Sequence, residues 1–109
     1  MGTNYYAVRT RPTTAEPIHI GKSSIGWLFL FQTQIVWNTW NQVKEWLKAN
    51  TLDKKDYVII DEDDDIISYH DFVKLVEEKQ KDPNCQTNPH NFEYCKNVDG
   101  YRFCDEYFS

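Results

Sequence analysis

The chain has 109 residues, of which 40% are hydrophobic and 16% aromatic, and its formal net charge is −5 at pH 7. This length fits one compact domain spanning residues 1–109, and the aromatic content argues against disorder. The negative charge makes direct binding to duplex DNA unexpected, because phosphate contacts need clustered Lys and Arg. The longest apolar run, at 27–31, is too short to cross a bilayer, so no membrane association is expected.

Cysteine usage and the start of the chain both favour a cytosolic protein. Residues 1–16 are polar and lack the apolar core of a signal peptide. The three cysteines are an odd number, which does not suit a secreted disulfide scaffold. We therefore expect free thiols.

Apolar periodicity and turn residues predict the elements of the first half. The expected elements are a strand at 4–9, a loop at 11–17, a short strand at 18–20, a turn at 21–24, an apolar strand at 25–32 and a helix at 37–50. Asn38 or Thr39 is the expected N-cap of the helix. Its apolar stripe contains Trp37, Trp40, Val43 and Leu47 and is interrupted by the stem of Lys44. We expect the aromatic residues of this stripe to pack in the core rather than to form an exposed patch.

The sequence of the second half of the chain predicts two hairpins and a helix. The expected elements are a strand at 56–60, an acidic turn at 61–65, an extended pair at 66–67, a helix at 69–81 and a hairpin within 91–109. Ser68 is the expected N-cap of the helix. If Asp99 and Gly100 form the turn of the last hairpin, Cys95 faces Cys104 at a non-hydrogen-bonded pair, where side chains approach most closely.

These elements together predict an α+β fold, with an antiparallel sheet of about five to seven strands packed with two helices. The candidate sites are three: a polar segment at 19–27, an acidic run at 62–65 and a set of cysteines near the end of the chain.

The polar segment is a candidate site for a small anionic ligand such as a nucleotide. A glycine-rich turn at 21–24 would offer backbone N–H groups to an anion, and Trp27 or Tyr5 would stack on a base. The candidate ligand-binding residues are His19, Lys22, Ser23, Ser24 and Trp27. A P-loop is excluded because Glu16 stands where the first glycine of that motif belongs. The alternative is a tight turn with a solvated lysine.

The acidic run is a candidate surface for a basic partner. Its residues are Glu62, Asp63, Asp64 and Asp65. A row of carboxylates can imitate the phosphates that a nucleic-acid-binding protein recognises, and it can also be a solvated turn. The run lacks the ligand spacing and the glycine of an EF-hand.

The cysteines raise two alternatives. Cys85, His90, Cys95 and Cys104 have zinc-ligand residue types, although the usual Cys-x-x-Cys pair is missing. Cys95 and Cys104 can equally be reduced, buried thiols in contact. We predict no metal and no cofactor. Catalysis is not expected either, because no partner for His19 completes a recognisable acid–base or nucleophilic arrangement.

The chain resembles a family of small bacteriophage and prophage proteins. The resemblance is dense in the opening Met1-Gly2-Thr3-Asn4-Tyr5-Tyr6, in the segment Glu16-Pro17-Ile18-His19-Ile20-Gly21-Lys22-Ser23-Ser24 and in Gly26-Trp27. It continues in Gly100-Tyr101-Arg102-Phe103 and in Phe108-Ser109. Some longer members carry a Cys-x-x-Cys in the loop that matches 11–17, where this chain has Pro12-Thr13-Thr14.

The resemblance implies phage origin and a location in the host cytoplasm, and it brings no established activity. Small acidic phage proteins often bind a host factor, and CRISPR inhibitors are among them. We therefore expect a non-enzymatic protein that binds and inhibits a host protein, such as a nucleic-acid-binding defence nuclease. The alternative is a protein that holds a small anionic ligand or nucleotide at the polar segment.

Overall fold

A computed structural model of the chain describes residues 2–11, 16–24, 26–85 and 95–105. The strands are β1 (Gly2–Arg9), β2 (Ile18–Ser24), β3 (Leu30–Gln32), β4 (Tyr57–Asp61), β5 (Ile66–Ile67), β6 (Cys95–Val98) and β7 (Tyr101–Cys104). The α-helices are α1 (Trp40–Leu47) and α2 (Tyr69–Lys81), and α1 continues into a π-helical segment, Lys48–Asp53. No helix within these ranges has both the length and the apolar character needed to span a membrane.

The seven strands form one sheet in the order β5-β4-β1-β2-β3-β7-β6. All neighbouring strands are antiparallel except β3 and β7, which run parallel. The predicted α+β class, with five to seven mostly antiparallel strands and two helices, is confirmed. The parallel pair is the one departure from the predicted antiparallel sheet.

The core joins the sheet to both helices. Its buried members from the sheet include Ala7, Ile20, Phe31, Ile59 and Phe103, and those from the helices are Trp40, Val43, Leu47, Phe72 and Val76. Trp37 is also buried in this cluster. The apolar stripe of the first helix therefore packs in the core, as predicted, because aromatic side chains remove the most apolar surface from water.

The helix caps follow the sequence signals. Thr39 Oγ1 accepts a hydrogen bond from the Gln42 N–H at 3.1 Å, and Ser68 Oγ accepts one from the Asp71 N–H at 3.1 Å. Both caps satisfy N–H groups that have no partner inside the helix. The predicted bounds of the second helix, 69–81, are confirmed.

The predicted helix at 37–50 is too long at its start. Gln34 and Trp37 pair across a tight turn instead, and the indole N–H of Trp37 donates to the carbonyl oxygen of Gln32 at 2.8 Å. Trp37 is thus held at the end of the β3 strand rather than in the helix. Beyond Leu47, the backbone widens into the π-helical segment, where Thr51 Oγ1 donates to the Leu47 carbonyl oxygen at 2.7 Å.

The predicted turn at 21–24 is wrong, and the predicted strand at 25–32 is too long at its start. Residues 21–24 belong to β2, which pairs with β1 as far as Gly2 opposite Ser24. Within the described part of the predicted strand, only the last three residues, Leu30–Gln32, form a strand, β3. Gly21 is needed for close packing rather than for a turn, since a Cβ atom there would meet the Leu30 carbonyl oxygen and the Phe29 ring. The chain reverses later, near Gly26, whose φ is +83°.

The C-terminal hairpin has the predicted register. Val98 lies opposite Tyr101 and Cys95 lies opposite Cys104, with the Asp99-Gly100 turn between them. Cys95 and Cys104 form a disulfide, so the expectation of free thiols is wrong for this pair, whose Cα atoms are 4.0 Å apart. Cys85 is a free cysteine. The close approach of a non-hydrogen-bonded pair explains why the two sulfurs meet.

Candidate functional site

The acidic turn between β4 and β5 is a tightly bonded hairpin. Asp61 closes β4, and its Oδ1 accepts hydrogen bonds from the N–H groups of Asp63 at 2.9 Å and Asp65 at 3.0 Å. The Asp61 N–H donates to the Asp65 carbonyl oxygen at 3.0 Å, and the Asp64 N–H donates to the Asp61 carbonyl oxygen at 3.1 Å. Asp64 has a φ of +64°, which aspartate tolerates better than most residues. The backbone of the turn is therefore held in one shape.

The carboxylates of this hairpin face solvent in front of that fixed backbone. Glu62, Asp63, Asp64 and Asp65 are all exposed. Glu62 also accepts a hydrogen bond through Oε1 from the Asn4 N–H at 2.9 Å, which ties the hairpin to the neighbouring strand β1. The structure thus places the predicted partner-binding residues together. We call residues 62–65 the acidic hairpin from here on.

An apolar residue follows the acidic hairpin directly. Ile66 lies in the two-residue strand β5 at one end of the sheet order, and 71% of it is exposed. A single exposed aliphatic side chain is common on folded proteins, so the position of Ile66 beside the acidic hairpin is what distinguishes it. The sequence places Ile66 next to four acidic residues, but the strand pattern alone predicted only a hairpin and gave no sign that this isoleucine would be exposed.

The residues of the predicted anionic-ligand site do not form one cradle. Lys22 and Ser23 lie within β2, paired with Asn4 and Thr3 of β1. Successive strand residues point to opposite faces of a sheet, so Lys22 and Ser24 share one face and Ser23 lies on the other. Since this stretch is part of the ladder, its backbone does not form the anion-binding turn on which the prediction depended. The ligand-binding role of these residues stays a prediction without support from their placement.

His19 is a buried member of a polar network. Its Nε2 is 2.9 Å from Asn4 Oδ1 and its Nδ1 is 3.4 Å from Gln32 Oε1, and the three side chains are 3–6% exposed. Gln32 Nε2 in turn donates to the Cys104 carbonyl oxygen at 3.0 Å, while Gln34 Nε2 donates to the His19 carbonyl oxygen at 2.9 Å. The network joins β1, β2, β3 and β7. His19 therefore has a structural role within the sheet.

Trp27 and Tyr5, the two candidates for stacking on a base, have different surroundings. The Tyr5 ring packs against Phe29 at 6.0 Å and Phe72 at 5.7 Å between ring centroids, so it belongs to the core side of the sheet. Burial, with a smaller contribution from Asp61, raises the pKa of Tyr5. The backbone N–H of Trp27 donates to the Ser24 carbonyl oxygen at 3.2 Å, which links Trp27 to the end of β2.

Lys79 of α2 holds the turn after β2 in place. Its Nζ donates to the carbonyl oxygens of Ser24 at 2.7 Å and Trp27 at 3.1 Å. These bonds link the helix to a turn more than fifty residues away in the sequence. The sequence does not indicate such a contact, because a lysine in the last turn of a helix is common for another reason: its charge interacts favourably with the helix dipole.

The zinc alternative loses two of its four candidate ligands to the disulfide between Cys95 and Cys104. His90 lies outside the described residues. Within the described ranges, no group of three or more His, Cys, Asp or Glu side chains is arranged to hold a metal ion. The expected absence of a metal stays a prediction.

The buried histidine gives a prediction about pH. Burial lowers the pKa of His19, and Lys22 acts in the same direction, whereas the hydrogen bond with Gln32 opposes the shift. Unfolded chains therefore take up a proton at His19 below about pH 6.5, while the folded chain does so only at lower pH. Stability is expected to fall as the pH drops through this window.

The pH prediction is tested with His19→Gln. Thermal unfolding of wild type and variant, followed between about pH 7 and pH 5, isolates the histidine because the carboxylates are common to both proteins. The difference in Tm between wild type and variant should shrink as the pH falls. A difference that stays constant or grows on acidification would contradict the account of His19.

Comparison of the chain with protein-family models, with curated proteins and with solved structures finds no match.

Proposed function

We propose that this chain is a phage-encoded, non-enzymatic protein that binds and inhibits a host component in the host cytoplasm, in the manner of an anti-defence or anti-CRISPR inhibitor. The acidic hairpin supports this proposal, because its four acidic residues are exposed on a backbone that hydrogen bonds hold in place. Phage origin and host location rest on the resemblance of the opening and polar segments to phage proteins.

The partner that fits the acidic hairpin is a positively charged protein surface. Adjacent carboxylates on a fixed turn produce a concentrated negative potential, which steers and orients a basic partner. Because the turn is already ordered, binding does not have to order it, and less of the interaction energy is lost. A host nuclease has such a basic surface where it binds nucleic acid, and its occupation by this protein would block the substrate.

The proposal predicts that neutralising the acidic hairpin abolishes capture of the partner. In the variant Asp63→Asn, Asp64→Asn, Asp65→Asn, the side-chain shapes are retained and three charges are removed. Tagged protein is used to capture partners from a lysate of the bacterial host, and the retained proteins are identified by mass spectrometry. We expect at least about tenfold less retention, and release of the partner as rising salt screens the charges.

The matched control removes three exposed carboxylates from other parts of the chain. In Glu45→Gln, Glu78→Gln, Asp105→Asn, the net charge changes by the same amount, and all three positions are exposed. This control should retain the partner. If the hairpin variant captures the same proteins as wild type, or if both triple variants lose them equally, the acidic hairpin is not the binding surface.

A further inference from the structure

A crevice of about 200 Å³ opens next to the acidic hairpin. It lies where the π-helical segment, the β4–β5 hairpin and the first turn of α2 meet. Its apolar lining includes Leu52, Tyr57, Ile59, Ile66, Ile67 and Tyr69. This volume is below the roughly 300–1,000 Å³ typical of sites for small molecules, so it suits a single inserted side chain better than a cofactor.

The crevice adjoins the edge of the sheet. In the sheet of the described residues, β5 is the terminal strand and pairs only with β4. An edge strand offers unpaired backbone groups to an extended segment of another protein, and pockets beside the edge then select its side chains. Ile67 pairs with the buried Ile59 and lies on the core side of the sheet, whereas the exposed Ile66 borders the crevice at its rim, on the edge strand itself.

The charge around the crevice selects a basic partner. The acidic hairpin runs directly into Ile66 along the chain. On the other side, Lys54 and Lys55 are matched in the sequence by Asp53 and Asp56, and the Arg9 guanidinium lies 5.9 Å from the centroid of the Tyr57 ring. The four carboxylates of the acidic hairpin outnumber this one further cation, so the excess charge beside the crevice is negative. An apolar anchor flanked by cations would therefore find complementary surfaces for both parts.

We propose that the crevice receives an apolar side chain from an extended, Lys- or Arg-rich segment of the partner, which lies along β5 with its cations against the acidic hairpin. This inference rests on the proposed function and adds to it the type of segment that is recognised. The acidic residues supply attraction that depends on salt. The crevice supplies specificity for an apolar residue between the cations.

Two short synthetic peptides test the inference. One alternates lysine and leucine, and the other alternates lysine and serine with the same charge. Each carries a fluorophore, and binding to the full chain is measured by fluorescence anisotropy. We expect the lysine–leucine peptide to bind about tenfold more tightly, since one buried aliphatic side chain accounts for such a difference.

The variants assign that preference to the crevice. Ile66→Asn should remove the preference for the leucine peptide and leave binding of the serine peptide unchanged. Ile35→Asn is the matched control, because Ile35 is fully exposed and is not among the residues that line the crevice. It should behave as wild type. Ile66→Thr, which keeps a β-branched side chain on the strand, serves the same purpose if the asparagine variant unfolds.

The outcomes separate this inference from the proposed function. If both peptides bind equally, lose affinity in the triple Asp→Asn variant and ignore Ile66, the acidic hairpin is a basic-partner site and the crevice inference is wrong. If neither peptide binds at low salt, the acidic-hairpin proposal and the inference that rests on it are both overturned. If Ile35→Asn removes the preference as well, the crevice is not its source.

Discussion

Replacement of Phe72 by alanine is expected to lower the free energy of unfolding by about 4 kcal/mol. Phe72 lies in α2 and is completely buried. Its ring packs edge-on against Phe29 at 5.5 Å and against Tyr5 at 5.7 Å between centroids, and lies 6.4 Å from the Trp40 ring. Alanine would leave a cavity bounded by large rings from both layers, which cannot collapse without moving the helix.

The measurement is urea unfolding of wild type and Phe72→Ala, with the slope of the transition compared in both. Ile35→Ala is the control, because its side chain is fully exposed and should change the free energy of unfolding by no more than about 0.5 kcal/mol. A loss at Phe72 no larger than about 1 kcal/mol, the average for point substitutions, would mean that the helix does not pack on the sheet as described.

The second large effect is expected at Gly21, where alanine should cost about 3 kcal/mol. Its Cβ atom would meet the carbonyl oxygen of Leu30 and the ring of Phe29, and would lie 3.0 Å from the Cα atom of Phe31. Two of these contacts are with the backbone of the paired strand β3, which cannot yield without breaking the ladder. The loss arises from close packing between β2 and β3.

Gly26→Ala distinguishes this effect from the ordinary cost of replacing a glycine. Gly26 has open space around its Cβ position but a φ of +83°, so alanine there should cost roughly 1–2 kcal/mol through backbone strain alone. Unfolding of the two variants in denaturant compares the costs directly. A loss at Gly21 equal to or smaller than that at Gly26 would contradict the close approach of β2 and β3.

Elements specified by neighbouring residues were predictable from the sequence. The Asp99-Gly100 turn fixed the register of the last hairpin, including the pairing of Cys95 with Cys104, because a two-residue turn leaves only one register. The bounds of α2 were predictable because Ser68 caps it and its apolar residues recur at helical spacing. In both cases the signals and the structure lie within one short stretch of chain.

Elements specified by distant residues were not predictable. The glycine and serines of β2 have the local signature of a turn, yet pairing with β1 extends the strand through them. The parallel pairing of β3 with β7 joins segments some seventy residues apart, and no local pattern specifies it. The disulfide was not predictable from the number of cysteines or from an expected cytosolic location, because both indicate only the redox environment. The bond between Cys95 and Cys104 depends instead on the geometry of one strand pair.

The candidate site was predictable only in part. The acidic residues 62–65 could be placed on a turn because β-strand patterns flank them. The fixed backbone of this turn depends on Asp61, whose carboxylate accepts hydrogen bonds from two backbone N–H groups, and on the hydrogen bond between Glu62 and β1. The crevice is formed by three separate elements, so it exists only once the chain has folded.

We propose that the acidic hairpin occupies a basic surface on a host protein that otherwise binds nucleic acid. The most direct measurement is displacement: a fluorescent oligonucleotide is bound to the captured host protein, and the chain is titrated in. Wild type and the control Glu45→Gln, Glu78→Gln, Asp105→Asn should release the oligonucleotide, whereas Asp63→Asn, Asp64→Asn, Asp65→Asn should not. Release by the hairpin variant at the same concentration as wild type would contradict the account.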